Sequence, residues 1–250
     1  MQPNNSENKI WFLGRGFEEY LQMFNLRLNY LRECKILDCN AGASSFAAHM
    51  TQQGFDVVAA DILYSKHPEE MKKVSENDFR TLMDAHHGLQ DKVDWGFFED
   101  HEQMAQYRIK TYKDFSKDYE KNKDTNYVEA KLPMLPFHDN TFHLVLSSHL
   151  LFLYDDRLDY DFHLESIKEM IRVSSQEVRI YPLVQLRNSK KSEYVEQIIN
   201  DLSPDFSLEV HKVDYKFRPG ADEMLCISKK PWTKSSCGLY TLDAIEVEGK

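Results

Sequence analysis

Short apolar runs recur along the chain at strand length, separated by stretches whose apolar residues fall three or four apart. Residues 35–39 (KILDC) form one such run, followed by a helical stretch through Phe46, Ala47, Ala48 and Met50 that Gly54 ends. Residues 56–60 (DVVAA) form the next. The series continues at 127–130, 143–148, 178–184, 207–213 and 223–228, with helices expected around 155–172 and 190–202. Strands alternating with helices predict a mostly parallel sheet covered on both faces. The last two strands are joined through Arg218-Pro219-Gly220, too short a link for a helix. An antiparallel hairpin at the sheet edge is expected there.

Two segments break this rhythm. Ahead of the first strand, GRGFEEYLQMFNL places Phe17, Tyr20, Leu21, Phe24 and Leu28 on one helical face. Between the second and third strands, residues 64–126 are too long for a structureless loop. Phe79, Leu82, Met83, His86, Leu89 and Val93 follow helical spacing there, as do Met104, Tyr107, Tyr112, Phe115 and Tyr119 more loosely. Two or three helices laid over one end of the sheet are expected. The chain therefore reads as a single domain, residues 1–250, with a helical leader at 10–31, a helical insertion or lid at 64–126 and a loose tail.

Charge narrows the partners. The formal net charge is −10, and no basic block interrupts it. Nucleic acid as a main partner is disfavoured, because neutralising phosphates requires clustered Lys and Arg. No apolar run reaches the ~20 residues of a membrane span, and MQPNNSENK contains no apolar signal core. Cys34, Cys39, Cys226 and Cys237 have no metal-ligand spacing and read as reduced thiols. A cytoplasmic protein with no membrane partner is expected. His86-His87 and His101 show no convincing carboxylate–histidine spacing, so no metal site is assigned.

Candidate chemistry lies in residues 36–46, ILDCNAGASSF, where a strand turns into a helix. Such a turn brings a ligand to a helix N-terminus and to backbone amides. A dinucleotide requires G-x-G-x-x-G, whereas Asn40-Ala41-Gly42-Ala43-Ser44-Ser45 contains one glycine. That disfavours a nicotinamide oxidoreductase. S-adenosylmethionine has no pyrophosphate and makes other demands. An aspartate at the first strand's end suits its ammonium side, a glycine lets the backbone approach, and an aspartate after the second strand can accept both ribose hydroxyls. Asp38, Gly42 and Asp61 stand in that order, one helix and one strand apart.

With these residues in place, ILDCNAGASSF, VVAADILY and LPMLPFHDNTFHLVLSSHLLFLY together resemble the class I S-adenosylmethionine-dependent methyltransferases. The resemblance is closest to a bacterial branch of small, poorly characterised members. It includes the leader's Gly14, Arg15 and Glu18-Glu19-Tyr20 and the ending YKFRPGADEMLCI, and covers roughly residues 12–62 and 127–229. It implies a Rossmann-like sheet of seven strands in order 3-2-1-4-5-7-6, the last antiparallel, with the site at the strands' carboxyl ends. It implies S-adenosylmethionine as cofactor, S-adenosylhomocysteine as product and a small-molecule methyl acceptor as partner.

The same resemblance implies cofactor contacts at Asp38, Asn40, Gly42 and Ser44 in the first turn. Asp61 and Ile62 follow the second strand, Lys131 and Leu132 the third, and Ser147 ends the fourth. Arg15 is placed to clamp the methionine carboxylate. Asn40 stands in for a glycine, and asparagine is the non-glycine residue that best tolerates a left-handed backbone. Lys131 replaces an acid that often meets the adenine amine, and lysine cannot accept that hydrogen bond. His143 replaces the fourth strand's usual aspartate. His149, just past that strand, is the candidate base for the acceptor's proton, against a purely structural role. These departures motivate an alternative: a non-catalytic protein of the same fold that retains S-adenosyl ligands.

Overall fold

The computed structural model describes residues 9–86 and 95–229. His87, Leu89, Val93, Cys237 and the expected tail lie outside the described residues, as does the side chain of His86. Among those described, seven strands form one sheet. They are β1 (Lys35–Cys39), β2 (Asp56–Asp61), β3 (Tyr127–Glu129), β4 (Phe142–Ser148), β5 (Ser174–Tyr181), β6 (Phe206–Lys212) and β7 (Glu223–Lys229). The order is β3-β2-β1-β4-β5-β7-β6. β7 is antiparallel to both β5 and β6, and every other pair is parallel. The strand order and the edge hairpin agree with the sequence reading.

The central strands are buried on both faces, so their side chains alternate between two cores. Ile36 and Leu144 enter one core, Leu37 and Val145 the other. The first core is covered by α1 (Phe17–Met23), α2 (Phe46–Gln52) and α4 (His101–Asn126), which contribute Met23, Phe46, Phe115 and Tyr119. The second lies under α5 (Tyr160–Val173) and α6 (Tyr194–Leu202), through Ile167 and Ile198. Asp159 caps α5 by accepting from Phe162 N at 2.9 Å, and Asp100 caps α4 from Gln103 N at 2.8 Å. β5 starts earlier than expected and stops at Tyr181 rather than at residue 184. Pro182 supplies no N–H to the ladder there.

The insertion forms α3 (Pro68–His86) and α4, but its buried stripes differ from the apolar spacing. α4 buries Met104, Arg108, Thr111, Phe115, Asp118 and Tyr119, leaving Tyr107 and Tyr112 on the flanks. Two charged residues sit on the covered face because each has a partner. Arg108 pairs with Glu19 of α1, and Asp118 accepts from Tyr127 Oη at 2.8 Å. On α3 the buried positions are Met71, Ser75 and Asp78, and Asp78 accepts from Phe12 N at 2.9 Å. No helix among the described residues is long and apolar enough to cross a membrane. Nor do three His, Cys, Asp or Glu side chains converge there as metal ligands.

Candidate functional site

Because β1, β2, β4 and β5 run the same way, their carboxyl ends come together, and they open into a cavity of about 1160 Å³. Cys39 and Asn40, Asp61 and Ile62, Ser148 and His149, and Tyr181 and Pro182 line it from the four strand tips. The segment after β3 adds Lys131 and Leu132. The leader supplies another wall from Ile10 to Leu13 with Arg15, and the loop before β7 adds Arg218.

The turn after β1 is held by its own hydrogen bonds. Asn40 adopts φ 54°, the left-handed backbone expected of it. Its Nδ2 donates to Ser148 O at 2.9 Å and its Oδ1 accepts from Ser147 Oγ at 2.8 Å, tying the tips of β1 and β4. Gly42, at φ 60°, donates its N–H to Asp61 Oδ2 at 3.1 Å and accepts from Tyr64 Oη at 2.6 Å. Asp61 Oδ1 accepts from Leu63 N at 3.0 Å. The close approach that excludes a side chain at Gly42 comes from the leader: a Cβ there would lie 2.6 Å from Leu13 O. Reciprocally, a Cβ on Gly14 would meet Ala43 O at 1.9 Å. Ser44 Oγ and Ser45 N both donate to Arg15 O, at 3.1 and 3.3 Å. The leader therefore sits directly on the turn.

Two carboxylates stand near that turn with different exposures. Asp61 faces the cavity, and burial pushes its pKa to about 6 against the opposing amides of Leu63 and Gly42. Asp38 is fully enclosed and does not line the cavity. Burial raises its pKa to about 8, opposed by the Tyr20 hydroxyl at 2.9 Å and reinforced by the Asp61 charge. Its Oδ2 is buried with no hydrogen-bond partner among the described residues. Ser44 and Ser147 also stand behind the lining, committed to Arg15 O and Asn40.

Arg15 lines the cavity with its Nε lacking a hydrogen bond and Glu19 Oε1 at 3.9 Å. Burial and then Arg108 lower its proton affinity. Behind it lies a polar cluster that the apolar pattern did not reveal. Glu19 accepts from both terminal nitrogens of Arg108, from Tyr215 Oη and from Gly16 N at 2.7 Å. Burial pushes the Glu19 carboxyl up, but Arg108 and Tyr215 hold it below the usual range. Arg108, like Arg218, is a cavity residue that sequence reasoning did not single out. Tyr215 and Arg218 lie within the YKFRPGADEMLCI ending, and that motif was the available signal.

His149 adopts φ 57° and hydrogen-bonds through Nδ1 with Ser148 Oγ at 2.7 Å. Its ring meets Tyr181 at 5.4 Å between centroids. Nε2 has no hydrogen bond among the described residues, and the ring lines the cavity. Burial, followed by the charges of Arg15, Arg108 and Arg218, pulls its pKa well below 6.5, so the imidazole is neutral at neutral pH. Lys131 is exposed, and its carbonyl is taken by Met134 N at 2.9 Å. His143 lies at the far end of the sheet, where Nδ1 accepts from Lys35 N at 2.8 Å, away from the cavity.

The residues fit an S-adenosyl ligand in kind. A carboxylate, a guanidinium whose Nε has no hydrogen bond, and a left-handed Asn40–Gly42 turn line one cavity. The strand order, the antiparallel seventh strand and the position of the cavity define the class I S-adenosylmethionine-dependent methyltransferase fold. No family model matches the chain. It is 34% identical over 218 residues to the uncharacterized protein MJ0045 of Methanocaldococcus jannaschii, spanning 87% of this chain and 95% of that protein. The chain belongs to the family of that archaeal protein. Among solved structures, it is similar to the PH0226 protein of Pyrococcus horikoshii at 16% identity and a TM-score of 0.49, over 85% of this chain and 90% of that one. It is also similar to magnesium protoporphyrin IX methyltransferase of Synechocystis with bound S-adenosylmethionine, at 12% identity and a TM-score of 0.43, over 83% and 74% of the two chains.

Proposed function

We propose that this chain is an S-adenosylmethionine-dependent methyltransferase acting on a small-molecule acceptor, under a lid formed by the leader and the insertion. The observation that supports this most is that Asp61, from the tip of β2, and Arg15, from the leader, line one cavity together with the Asn40–Gly42 turn. Each Asp61 oxygen accepts one backbone N–H and keeps a lone pair, which suits the two hydroxyls of a ribose. Arg15, on the leader's wall, offers its guanidinium to a carboxylate. The volume exceeds the ~300–1,000 Å³ usual for one small ligand, leaving room for a second reactant.

When bound, S-adenosylmethionine supplies an electrophilic methyl group on a sulfonium. The chain's own part is to orient both reactants, exclude water and hold the acceptor's proton. His149 takes that proton at Nε2 when Nδ1–H donates to Ser148.

Calorimetry with S-adenosylmethionine and S-adenosylhomocysteine tests this reading, paired with transfer of labelled methyl groups into a cell metabolite extract. Binding of both with labelled product is expected. Binding without any labelled product indicates instead a non-catalytic S-adenosyl-binding protein. No binding of either ligand overturns both readings.

A further inference from the structure

The chain holds 31 Lys and Arg against 41 Asp and Glu, yet its cavity has the opposite sign. Among the described residues, five basic ones line it (Arg15, Arg108, Lys131, Arg187 and Arg218), against Asp61 as the acid. Four of the five have evident duties or positions. Arg108 is neutralised by Glu19, Arg15 belongs with the turn after β1, and Lys131 and Arg187 are exposed. Arg218 is different. Its Nη1 donates to Leu186 O at 3.0 Å and to Ser189 Oγ at 3.3 Å, which fixes the guanidinium in place. Among the described residues, Nε and Nη2 have no acceptor and no carboxylate pairs with the group.

A half-buried guanidinium without an anion is an unfavourable arrangement that a ligand can relieve. Burial and the neighbouring Arg15 lower its proton affinity, and the charge of a bound anion opposes both effects. The surroundings are apolar. Leu186, whose carbonyl holds Arg218, donates its N–H to Leu153 O at 2.8 Å, and both side chains line the cavity with Tyr154. Arg218 is also close enough to His149 for its charge to depress the imidazole. The charge of the cation therefore reaches the group assigned to the acceptor's proton, from the loop before β7 and not from the tip of β2 that carries Asp61.

We infer that the methyl acceptor is a small amphiphilic anion, whose apolar body lies against Leu153, Tyr154 and Leu186 and whose carboxylate or phosphate is received by Arg218. The fork geometry of a guanidinium suits either anion. This inference rests on the methyltransferase reading for the word acceptor, but the anion site itself is testable without cofactor.

Four probes with one body separate the possibilities: phenylbutyrate, phenylbutyl phosphate, phenylbutanol and phenylbutylamine. Each is titrated by NMR into the full chain, with and without S-adenosylhomocysteine. At least one anion should bind roughly tenfold or more tighter than the alcohol, and the amine more weakly than either. The stronger anion distinguishes carboxylate from phosphate. Arg218→Gln should erase the anion preference and leave S-adenosylhomocysteine affinity unchanged. If that variant does not fold, Arg218→Lys, which keeps the charge and loses the fork, should weaken the anions and spare the alcohol. Equal binding of anion and alcohol, no binding of either anion, preference for the amine, or a loss of S-adenosylhomocysteine affinity in Arg218→Gln overturns the assignment. An anion preference in a protein that fails to bind S-adenosylhomocysteine would instead sink the cofactor reading alone.

Discussion

The cavity has two sides built on opposite principles. At the turn after β1, nearly every polar atom is already engaged. Gly42 bonds through both backbone groups, Asn40 through both ends of its amide, and Ser44 through its hydroxyl. Beyond β4 and in the loop before β7, His149 Nε2 and two nitrogens of Arg218 are left open among the described residues. The first side is a frame fixed before any ligand arrives, and the second keeps its hydrogen-bonding capacity for a guest. A frame of that kind lowers the ordering cost of binding, while open groups set which guest is accepted.

Substitutions can break that contrast in order of effect. The largest change should come from Glu19→Ala, which leaves Arg108 as a buried, uncompensated charge. Removing one partner of a buried pair costs about 3–5 kcal/mol, readable as a fall in the urea midpoint. A loss under about 1 kcal/mol would mean that the frame does not depend on this cluster. Next comes Asp61→Ala, which should weaken S-adenosylhomocysteine binding by roughly ten- to a hundredfold in calorimetry. Asp56→Ala, exposed at the opposite end of β2, is the control and should change little. Equal effects from the two would move the ligand away from this wall.

The smallest effect, read over a single pH unit, is a pH dependence. Asp38 has a pKa of about 8 in the folded chain and an ordinary value of 3.8. Between those values the folded state binds a proton that the unfolded state has released. Stability therefore falls as pH rises from about 4 to about 8, by up to about 1.4 kcal/mol per pH unit. Asp61 adds the same sign between about 4 and about 6. Urea unfolding of wild type and Asp38→Asn at pH 6.5 and 7.5 isolates Asp38: the wild type should lose about 1 kcal/mol relative to the variant. Parallel behaviour of the two proteins would show that Asp38 is ionised inside the fold.

What the sequence made legible, and what it hid, follow the same division. Strand order, the edge hairpin and the left-handed Asn40 were readable because each depends on local pattern or on a motif. Gly42 was readable as a close approach, but the group that approaches is Leu13 O from the leader. Arg108 and Asp118 were not readable, because a charge on a helix's covered face makes sense only with its partner. For Arg108 that partner is Glu19, eighty-nine positions earlier. Asp38 read as a cofactor contact because its spacing from Asp61 is informative, whereas its enclosure depends on where Tyr20 packs.

The reversed sign of the cavity separates capture from approach. An anion far from this protein meets the field of a molecule with a formal charge of −10 and is repelled. Inside the mouth it meets guanidinium groups and is held. The two regimes change over within about one Debye length, ~8 Å at physiological ionic strength. Added salt then shortens the barrier to arrival while loosening the grip, so encounter rate and residence time respond to ionic strength in opposite directions.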